Sequence, residues 1–353
     1  MTAATGVRVA VIGCGIGGAT AALALAKIGA SVDVYEAAAR SAYQSGWVTL
    51  GPAAMTALAQ VGVAARIEAA GFPVTSVRFV DTETGREFGF TRNEATHRWP
   101  STHVWRRDLL RTLRDQLDMV GVRCRYGTTV TPDEPAADLI VGADGARSAT
   151  RTTIGNASEL SYTGETIRFG HHPRPVPGFP VGVLMFWTHA SGMAGCVSDD
   201  REGSFWCSRH RDSPVGTLDD ATALAPLRST PVTQVIDASW IGDPIALYES
   251  APEGIWHDDR TVLVGDAAHP LSATGFGATL AIEDGIVLAR CIRDADSLAA
   301  ALTTFTDTRR PVARACFRPA QGRLTTIAAD QLELRRATDR PVGCVSHSLT
   351  RPA

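Results

Sequence analysis

Apolar positions along the chain follow several periods in turn, and each change of period marks a different kind of element. "VRVAVIG", Val7 to Gly13, is a continuous apolar run rich in β-branched residues, as a strand buried on both faces requires. "GATAALALAKIG" is helix-forming and stops at Gly29, and "SVDVYE" alternates as a second strand. Together they predict a βαβ opening. From Val74 to Phe90, "VTSVRFVDTETGREFGF" predicts a hairpin turning at Glu83–Gly85. "RRDLLRTLRDQL" predicts a helix with Leu109, Leu113 and Leu117 on one face, and "ADLIVGADGARSATR" a buried strand running into a glycine-bearing loop.

Between Ile154 and Ile255 the pattern shifts to short β-like runs broken by Pro and Gly, such as "VGVLMFW" and "GSFWCSRH". This middle third reads as an antiparallel sheet inserted into an α/β domain. "VLVGDAAHPLSATGFGATLAIEDG", Val262 to Gly285, then returns to strand, loop and helix, and the chain from Asp294 onward reads as mostly helical. The expected fold is therefore α/β: a Rossmann-like domain, an inserted and mostly antiparallel β-sheet domain, and C-terminal helices. The expected boundaries are 1–75, 100–155 and 256–293 for the first, 76–99 and 156–255 for the second, and 294–353 for the helical segment.

Three glycine motifs sit at strand ends, where ligands of α/β sheets bind. In "GCGIGG", Gly13, Gly15 and Gly18 match G-x-G-x-x-G directly after a strand and opening a helix. Gly13 permits the tight turn, Gly15 lets the backbone approach a pyrophosphate, and Gly18 lets helix and strand pack closely. Glu36, at the end of the second strand, is placed to accept hydrogen bonds from ribose hydroxyls. A tight turn without a ligand is the plainer alternative. In "VGADGARSATR", Asp144 caps local N–H groups or contacts a ligand, and Arg147 and Arg151 read equally well as a solvated face. In the third motif Asp266 is a turn cap or a ligand of sugar or ribityl hydroxyls. Gly275 and Gly277 would let the backbone lie against a flat ring at the N-terminus of the next helix.

Composition narrows the function classes. The 353 residues carry a net charge of −3 and are 44% hydrophobic and 20% charged, which argues against a nucleic-acid surface. Lys27 is the sole lysine, so any lysine-dependent mechanism must use it. Seven scattered cysteines form no C-x-x-C pair, so neither a disulfide scaffold nor a metal site is expected. The N-terminal apolar run is broken by glycines and reads as neither signal peptide nor membrane span. A cytoplasmic protein, monomer or homodimer, without membrane or nucleic-acid partners, is the expectation.

In their order, the three motifs resemble the FAD-dependent aromatic hydroxylases, the class A single-component flavoprotein monooxygenases of the para-hydroxybenzoate hydroxylase type. "WRRDLLRTL" and "FTDTRRPVARACFRP" extend the resemblance over essentially the whole chain. It implies non-covalent FAD, NADPH or NADH as co-substrate, and O₂. It also implies hydroxylation of an aromatic or other electron-rich small molecule through a C4a-hydroperoxyflavin. Gly13, Gly15, Ile16, Gly17 and Gly18 would hold the FAD diphosphate and Glu36 the adenosine ribose. Arg106, with Arg107 beside it, would meet the phosphate or ribityl region. Asp144 would serve both FAD and NAD(P)H, and Asp266 the ribityl chain or pyrophosphate. Gly275, Phe276, Gly277 and Ala278 would line the isoalloxazine, with Trp47 or Val48 flanking it. Two departures stand out: Ala37 where the family has Arg or Lys, and Ala273 where it often has Pro.

No general base is identified. Arg168, His171, His172 and His210, with His189 and Tyr248, are candidates on the inserted sheet, and Trp187, Phe205 and Trp206 are candidates for an apolar pocket. The alternatives are a flavoenzyme of this fold, oxidoreductase or cyclase, that inserts no oxygen, or a non-catalytic FAD-binding protein. A flavin halogenase is disfavoured because W-x-W-x-I-P is absent and Lys27 lies on the first helix.

Overall fold

A computed structural model describes residues 6–42, 46–92, 98–189, 192–214, 218–271, 275–317 and 349. The elements begin with β1 (Arg8–Ile12), α1 (Ile16–Lys27), β2 (Ser31–Glu36), β3 (Trp47–Leu50), α2 (Pro52–Gln60) and α3 (Ala64–Ala70). Next come β4 (Phe72–Pro73), β5 (Ser76–Asp81), β6 (Glu87–Arg92), β7 (Thr102–Trp105), α4 (Arg106–Met119), β8 (Arg123–Tyr126), β9 (Leu139–Gly142) and α5 (Ala149–Thr153). The middle of the chain gives β10 (Ser161–His172), β11 (Val183–His189), β12 (Gly192–Asp199), β13 (Gly203–Arg211), α6 (Asp220–Ala223) and α7 (Ala225–Arg228). It closes with β14 (Trp240–Ile241), β15 (Ile245–Glu249), β16 (Thr261–Leu263), α8 (Gly277–Asp294) and α9 (Leu298–Cys316).

Five strands form a parallel sheet in the order β16-β9-β1-β2-β8. Its middle strands are apolar because both faces are covered: Val9, Val11, Leu139 and Val141 are all buried. Helix α1 is apolar almost all round, and it is buried from Gly18 through Leu25 because the sheet and α8 cover it. The α1–α8 crossing is close since small residues meet there. A Cβ on Gly285 would come within 2.7 Å of the Ala21 nitrogen. From β1 the chain moves to β2 on one side and returns at β9 on the other. The carboxyl ends of β1 and β9 therefore flank a topological switch point, the crevice in which such sheets bind ligands.

The second sheet runs β14-β10-β13-β12-β11-β5-β6, with β15 also paired to β10. Its pairs are antiparallel except β5–β11, which is parallel because the 76–92 hairpin adds to the sheet from outside the 154–255 stretch. Alternation along the strands makes two distinct faces. Phe205, Cys207, Val197 and Leu184 point to one face, where Trp47 and Phe72 pack on them. Trp206, Cys196, Ala194 and Trp187 point to the other, beneath Leu224, Leu227 and Ile236. The first is the near face, toward the parallel-sheet domain.

The structure also has a small sheet, β3-β7-β4, that the pattern did not announce. "SGWVTL" thus becomes a strand from Trp47 onward, because Val48 pairs with Val104 and Leu50 with Thr102. Helix α4 starts directly at Arg106 and buries Leu109, Leu113 and Leu117. Of the segment after Asp294, α9 accounts for Leu298–Cys316. The rest beyond Phe317, save Leu349, lies outside the described residues, as does Ala273.

Candidate active site

Three strand ends converge on the crevice. After β1, Gly13 has φ +101°, and a Cβ there would lie 2.3 Å from the Ala143 carbonyl oxygen. On Gly18 it would lie 2.0 Å from the Gly13 carbonyl oxygen. Both glycines are demanded by the fold itself. Gly17 faces α8, 3.2 Å from the Ala281 Cβ, and Ile16 is buried in the core. Gly15 differs from all of these. It precedes α1 in ordinary extended backbone, and a Cβ there meets nothing within 4 Å among the described residues. No protein contact accounts for its missing side chain. No side chain caps the α1 N-terminus either, so its first N–H groups and the positive end of its dipole face the crevice.

Glu36 lies beside this turn. One carboxylate oxygen accepts from the Cys14 N–H at 2.7 Å and the other from the Ala38 N–H at 2.8 Å. Each oxygen keeps acceptor capacity for a further donor. After β9, Asp144 accepts from the Ser148 hydroxyl at 2.5 Å and from both the amide and hydroxyl of Thr150 at 3.0 Å. It is thus a cap of α5. Arg147 is exposed, as a solvated face requires, whereas Arg151 is buried. The Arg147 guanidinium lies 4.9 Å from the Tyr248 ring centre. The buried Arg151 donates to the carbonyls of Ala146 (2.6 Å) and Ala267 (3.4 Å), tying the second motif to the third.

After β16, Gly265 has φ +59° and opens a 3-10 turn, Gly265–Ala267, that carries Asp266. The Asp266 carboxylate accepts no hydrogen bond from the described residues. Burial pushes its pKa up, and the charges of His269, Arg106 and Arg151 oppose that rise without cancelling it. Gly275 has φ +75°, Phe276 is buried against Leu271, Leu280 and Cys316, and Gly277 begins α8, whose N-terminus no side chain caps. Ala278 and Val48 pack on the main core, whereas Trp47 turns the other way and donates its indole N–H to the Trp206 carbonyl at 3.3 Å. The Arg106 amide donates to the Gly46 carbonyl, and the Arg107 guanidinium stacks 4.5 Å from the Trp105 ring centre.

The inserted sheet separates the candidates for acid–base chemistry. Thr166 pairs with His210, Arg168 with Ser208 and His172 with Ser204, which sets Arg168, His172 and His210 on the far face with Trp206. Arg168 is ion-paired there with Asp220, and His172 Nδ1 lies 3.0 Å from the Arg174 carbonyl. His189 follows Met185 and Trp187 onto the same far face by alternation. Tyr248 sits on β15 against Tyr162. Of the four leading candidates, His171 alone is on the near face, against Trp105 and Phe205, with Nε2 2.7 Å from the Glu202 carbonyl. Phe205 is a near-face residue, while Trp187 and Trp206 form core on the far face.

Three groups escaped the sequence reading. His103, on β7, is wholly buried among Trp47, Phe72 and Phe205 and shares a 2.9 Å hydrogen bond with Thr49. Burial, with His171 nearby, drives its pKa down to about 3. Arg209 and Glu165 form a buried ion pair on the near face, where Arg209 stands beside Ile167 in register. Beneath the third turn, Asp284 and Arg309 belong to a fully buried charge cluster with Glu283 and His269. None has a fixed sequence spacing; each exists only through strand register or helix packing.

Comparison with known proteins shows which family the chain belongs to. Residues 6–136 and 132–320 match a family described as the FAD binding domain. The chain belongs to this family. It is an FAD-dependent oxidoreductase. It is 29% identical over 350 residues to the 3-amino-4-hydroxybenzoate 2-monooxygenase PtnB3 of Streptomyces platensis, covering 90% of this chain and 87% of that one. With the aurachin C monooxygenase/isomerase of Stigmatella aurantiaca it shares 28% identity over 334 residues, covering 85% and 84%. The fold matches Klebsiella pneumoniae HpxO complexed with FAD and uric acid, with a TM-score of 0.76, 23% identity and 96% of each chain covered.

The crevice fits FAD on its own terms. Two uncapped helix N-termini suit a diphosphate and an electron-rich ring edge. The space in front of Gly15 suits a phosphate approaching main chain, and Asp266 has both oxygens available to hydroxyl donors. A separate cavity of about 530 Å³, lined by Ser158, Tyr162, Thr163, Glu249 and Glu253, adjoins the β10–β15 edge.

Proposed function

We propose that this protein is an NAD(P)H- and O₂-using monooxygenase that hydroxylates a small aromatic molecule on the near face of its inserted sheet. The observation that carries the reading is the Asp266 carboxylate, half-buried and without a hydrogen-bond donor among the described residues, at the mouth of two uncapped helices. FAD bound there supplies electron transfer from the nicotinamide and activation of O₂. Gly13, Gly15 and Gly18 admit the diphosphate to the α1 N-terminus, Glu36 takes the ribose, and Asp266 takes hydroxyls of the ribityl chain. Arg106 offsets the charge of Asp266. Asp144 shapes the start of α5, the helix that carries Arg151, and Gly275 to Ala278 with Val48 bound the flat ring.

The near face supplies what an oxygen-inserting site needs, a wall from which water is excluded. Trp47, Phe169 and Phe205 are its aromatic part; Trp47 and Phe205 are buried, and half-buried Phe169 is the ring suited to stacking on a planar substrate. A neutral His103 adds no charge behind that wall. Arg209, held by Glu165, is its charged group in register with Ile167 and would anchor an acidic oxygen of the substrate. A buried ion pair gives little stability on its own, so its place on an apolar face points to recognition.

The supporting relatives are monooxygenases whose names specify aromatic or heteroaromatic compounds. No helix among the described residues is long and apolar enough to cross a membrane. The test is NADH and NADPH oxidation by the purified yellow protein with a panel of phenols under isotopically labelled O₂. Label in the product supports the reading; substrate-stimulated oxidation with an unlabelled product overturns it. In the same assay Arg209→Met should lower turnover of acidic phenols about tenfold, a loss of about 1.4 kcal/mol, while His210→Asn on the far face leaves it unchanged.

A further inference from the structure

The Gly265–Asp266 turn is held from behind by one carboxylate. Asp284 Oδ2 accepts from the Gly265 N–H at 2.8 Å and pairs with His269 Nε2 at 2.7 Å. Gly265 precedes Asp266 and His269 follows it by three residues, so a single oxygen pins both ends of the segment that presents Asp266. The other oxygen, Oδ1, accepts from Arg309 Nε at 2.6 Å. The two terminal nitrogens of Arg309 donate to Glu283 Oε2 (3.0 Å) and the Leu280 carbonyl (3.3 Å). Every side chain in the chain Glu283–Arg309–Asp284–His269 is at most 2% exposed. Burial alone would protonate Asp284, yet His269 and Arg309 hold it well below the usual carboxylate range.

Such a cluster is a poor way to gain stability, since apolar packing of the same volume does as well or better. It is a good way to fix one geometry, because a carboxylate with three charged or polar partners has a single orientation that satisfies all of them. We propose that Arg309 of α9, acting through Asp284 and His269, is a positioning residue for Asp266, so that the closing helix is part of the FAD site. The other α9 arginine contacts serve as an internal control. Arg314 pairs with Glu253 at the surface, with both side chains about half exposed.

The experiment titrates FAD-depleted protein with FAD, following quenching of flavin fluorescence and the visible band of the bound flavin, with circular dichroism confirming the fold. Arg309→Met is expected to weaken FAD binding about tenfold or more and to shift the bound spectrum. Arg309→Lys keeps the charge but not the fork that reaches Asp284, Glu283 and the Leu280 carbonyl, and should fall between the wild type and Arg309→Met. Combining Arg309→Met with Asp284→Asn should cost less than the sum of the two, because both break one network. Arg314→Met should leave affinity and spectrum unchanged. A folded Arg309→Met protein with wild-type affinity and spectrum overturns the proposal. Where Arg309→Met does not fold, Asp284→Asn decides: a folded variant that binds FAD as the wild type does overturns it, and weakened binding with a shifted spectrum supports it.

Discussion

The β1–α1 turn and the β16–α8 turn do the same job by opposite means. Each follows a buried strand of the parallel sheet, begins with a positive-φ glycine and ends at an uncapped helix. The first is built from absences: Gly13 and Gly18 are glycines because main chain occupies the space a Cβ would need, and Gly15 leaves space open. The second is built from side chains, with Asp284 and Arg309 reaching in from two helices to hold the segment around Asp266. A site made of missing atoms tolerates almost no substitution at its glycines. A site made of side-chain contacts fails by degrees, one contact at a time.

The largest effect tests the first half of that contrast. Gly13→Ala forces a residue with a Cβ to φ +101° and into the Ala143 carbonyl, and it should cost the apo protein about 3 kcal/mol or more in urea unfolding. Gly15→Ala, two residues on, should leave apo stability within about 0.5 kcal/mol. Its FAD affinity should fall about tenfold or more, close to 1.4 kcal/mol. If Gly15→Ala destabilises the apo protein as Gly13→Ala does, the space before Gly15 serves folding and the contrast collapses.

A smaller effect, with a pH signature, tests the second turn. Burial raises the pKa of Asp266 in the folded protein above its unfolded value of 3.8. Between those two values the folded state binds more protons than the unfolded one, so stability falls as pH rises through that window. Asp266→Asn removes this penalty. The apo variant should therefore match the wild type below pH 3.8 and gain on it as pH increases above that, while binding FAD more weakly. Urea titrations of both apo proteins across pH check the sign. An Asn variant less stable than the wild type at neutral pH would show that Asp266 holds the fold and not the cofactor.

The same contrast explains what could be read from the sequence. Gly13, Gly15, Gly18 and Glu36 were legible because a turn defined by main-chain approach must use fixed residue types at fixed spacing. The strands β1 and β9 were legible because strands covered on both faces are continuously apolar, and β2 because its apolar and polar residues alternate. Asp284 and Arg309 were not, since a buried ion pair between two helices leaves no periodic trace: each looks like a polar residue on an amphipathic helix. The sheet faces were hidden for a related reason. "GSFWCSRH" carries apolar and polar residues without clean alternation, so only the register Phe169–Cys207 and Gly170–Trp206 shows that Phe205 and Arg209 share the near face while His210 does not.

The smallest effect returns to the two helix starts, where Gly277 is the counterpart of Gly15. Among the described residues a Cβ on Gly277 would meet only the Asp266 carboxylate, at an ordinary 3.5 Å, and the residue already has helical backbone. Gly277→Ala should therefore stabilise the apo protein by about 0.4–1 kcal/mol, because it removes freedom from the unfolded chain without adding strain. If the cofactor site is the proposed one, FAD should bind about threefold more weakly, as the added methyl stands beside Asp266; threefold is about 0.65 kcal/mol. Thermal melts of the apo form and fluorescence titration with FAD measure the two terms separately. Opposite signs in the two measurements mark a glycine kept for a ligand. A gain in both would mean that the second turn, unlike the first, holds its cofactor by side chains alone.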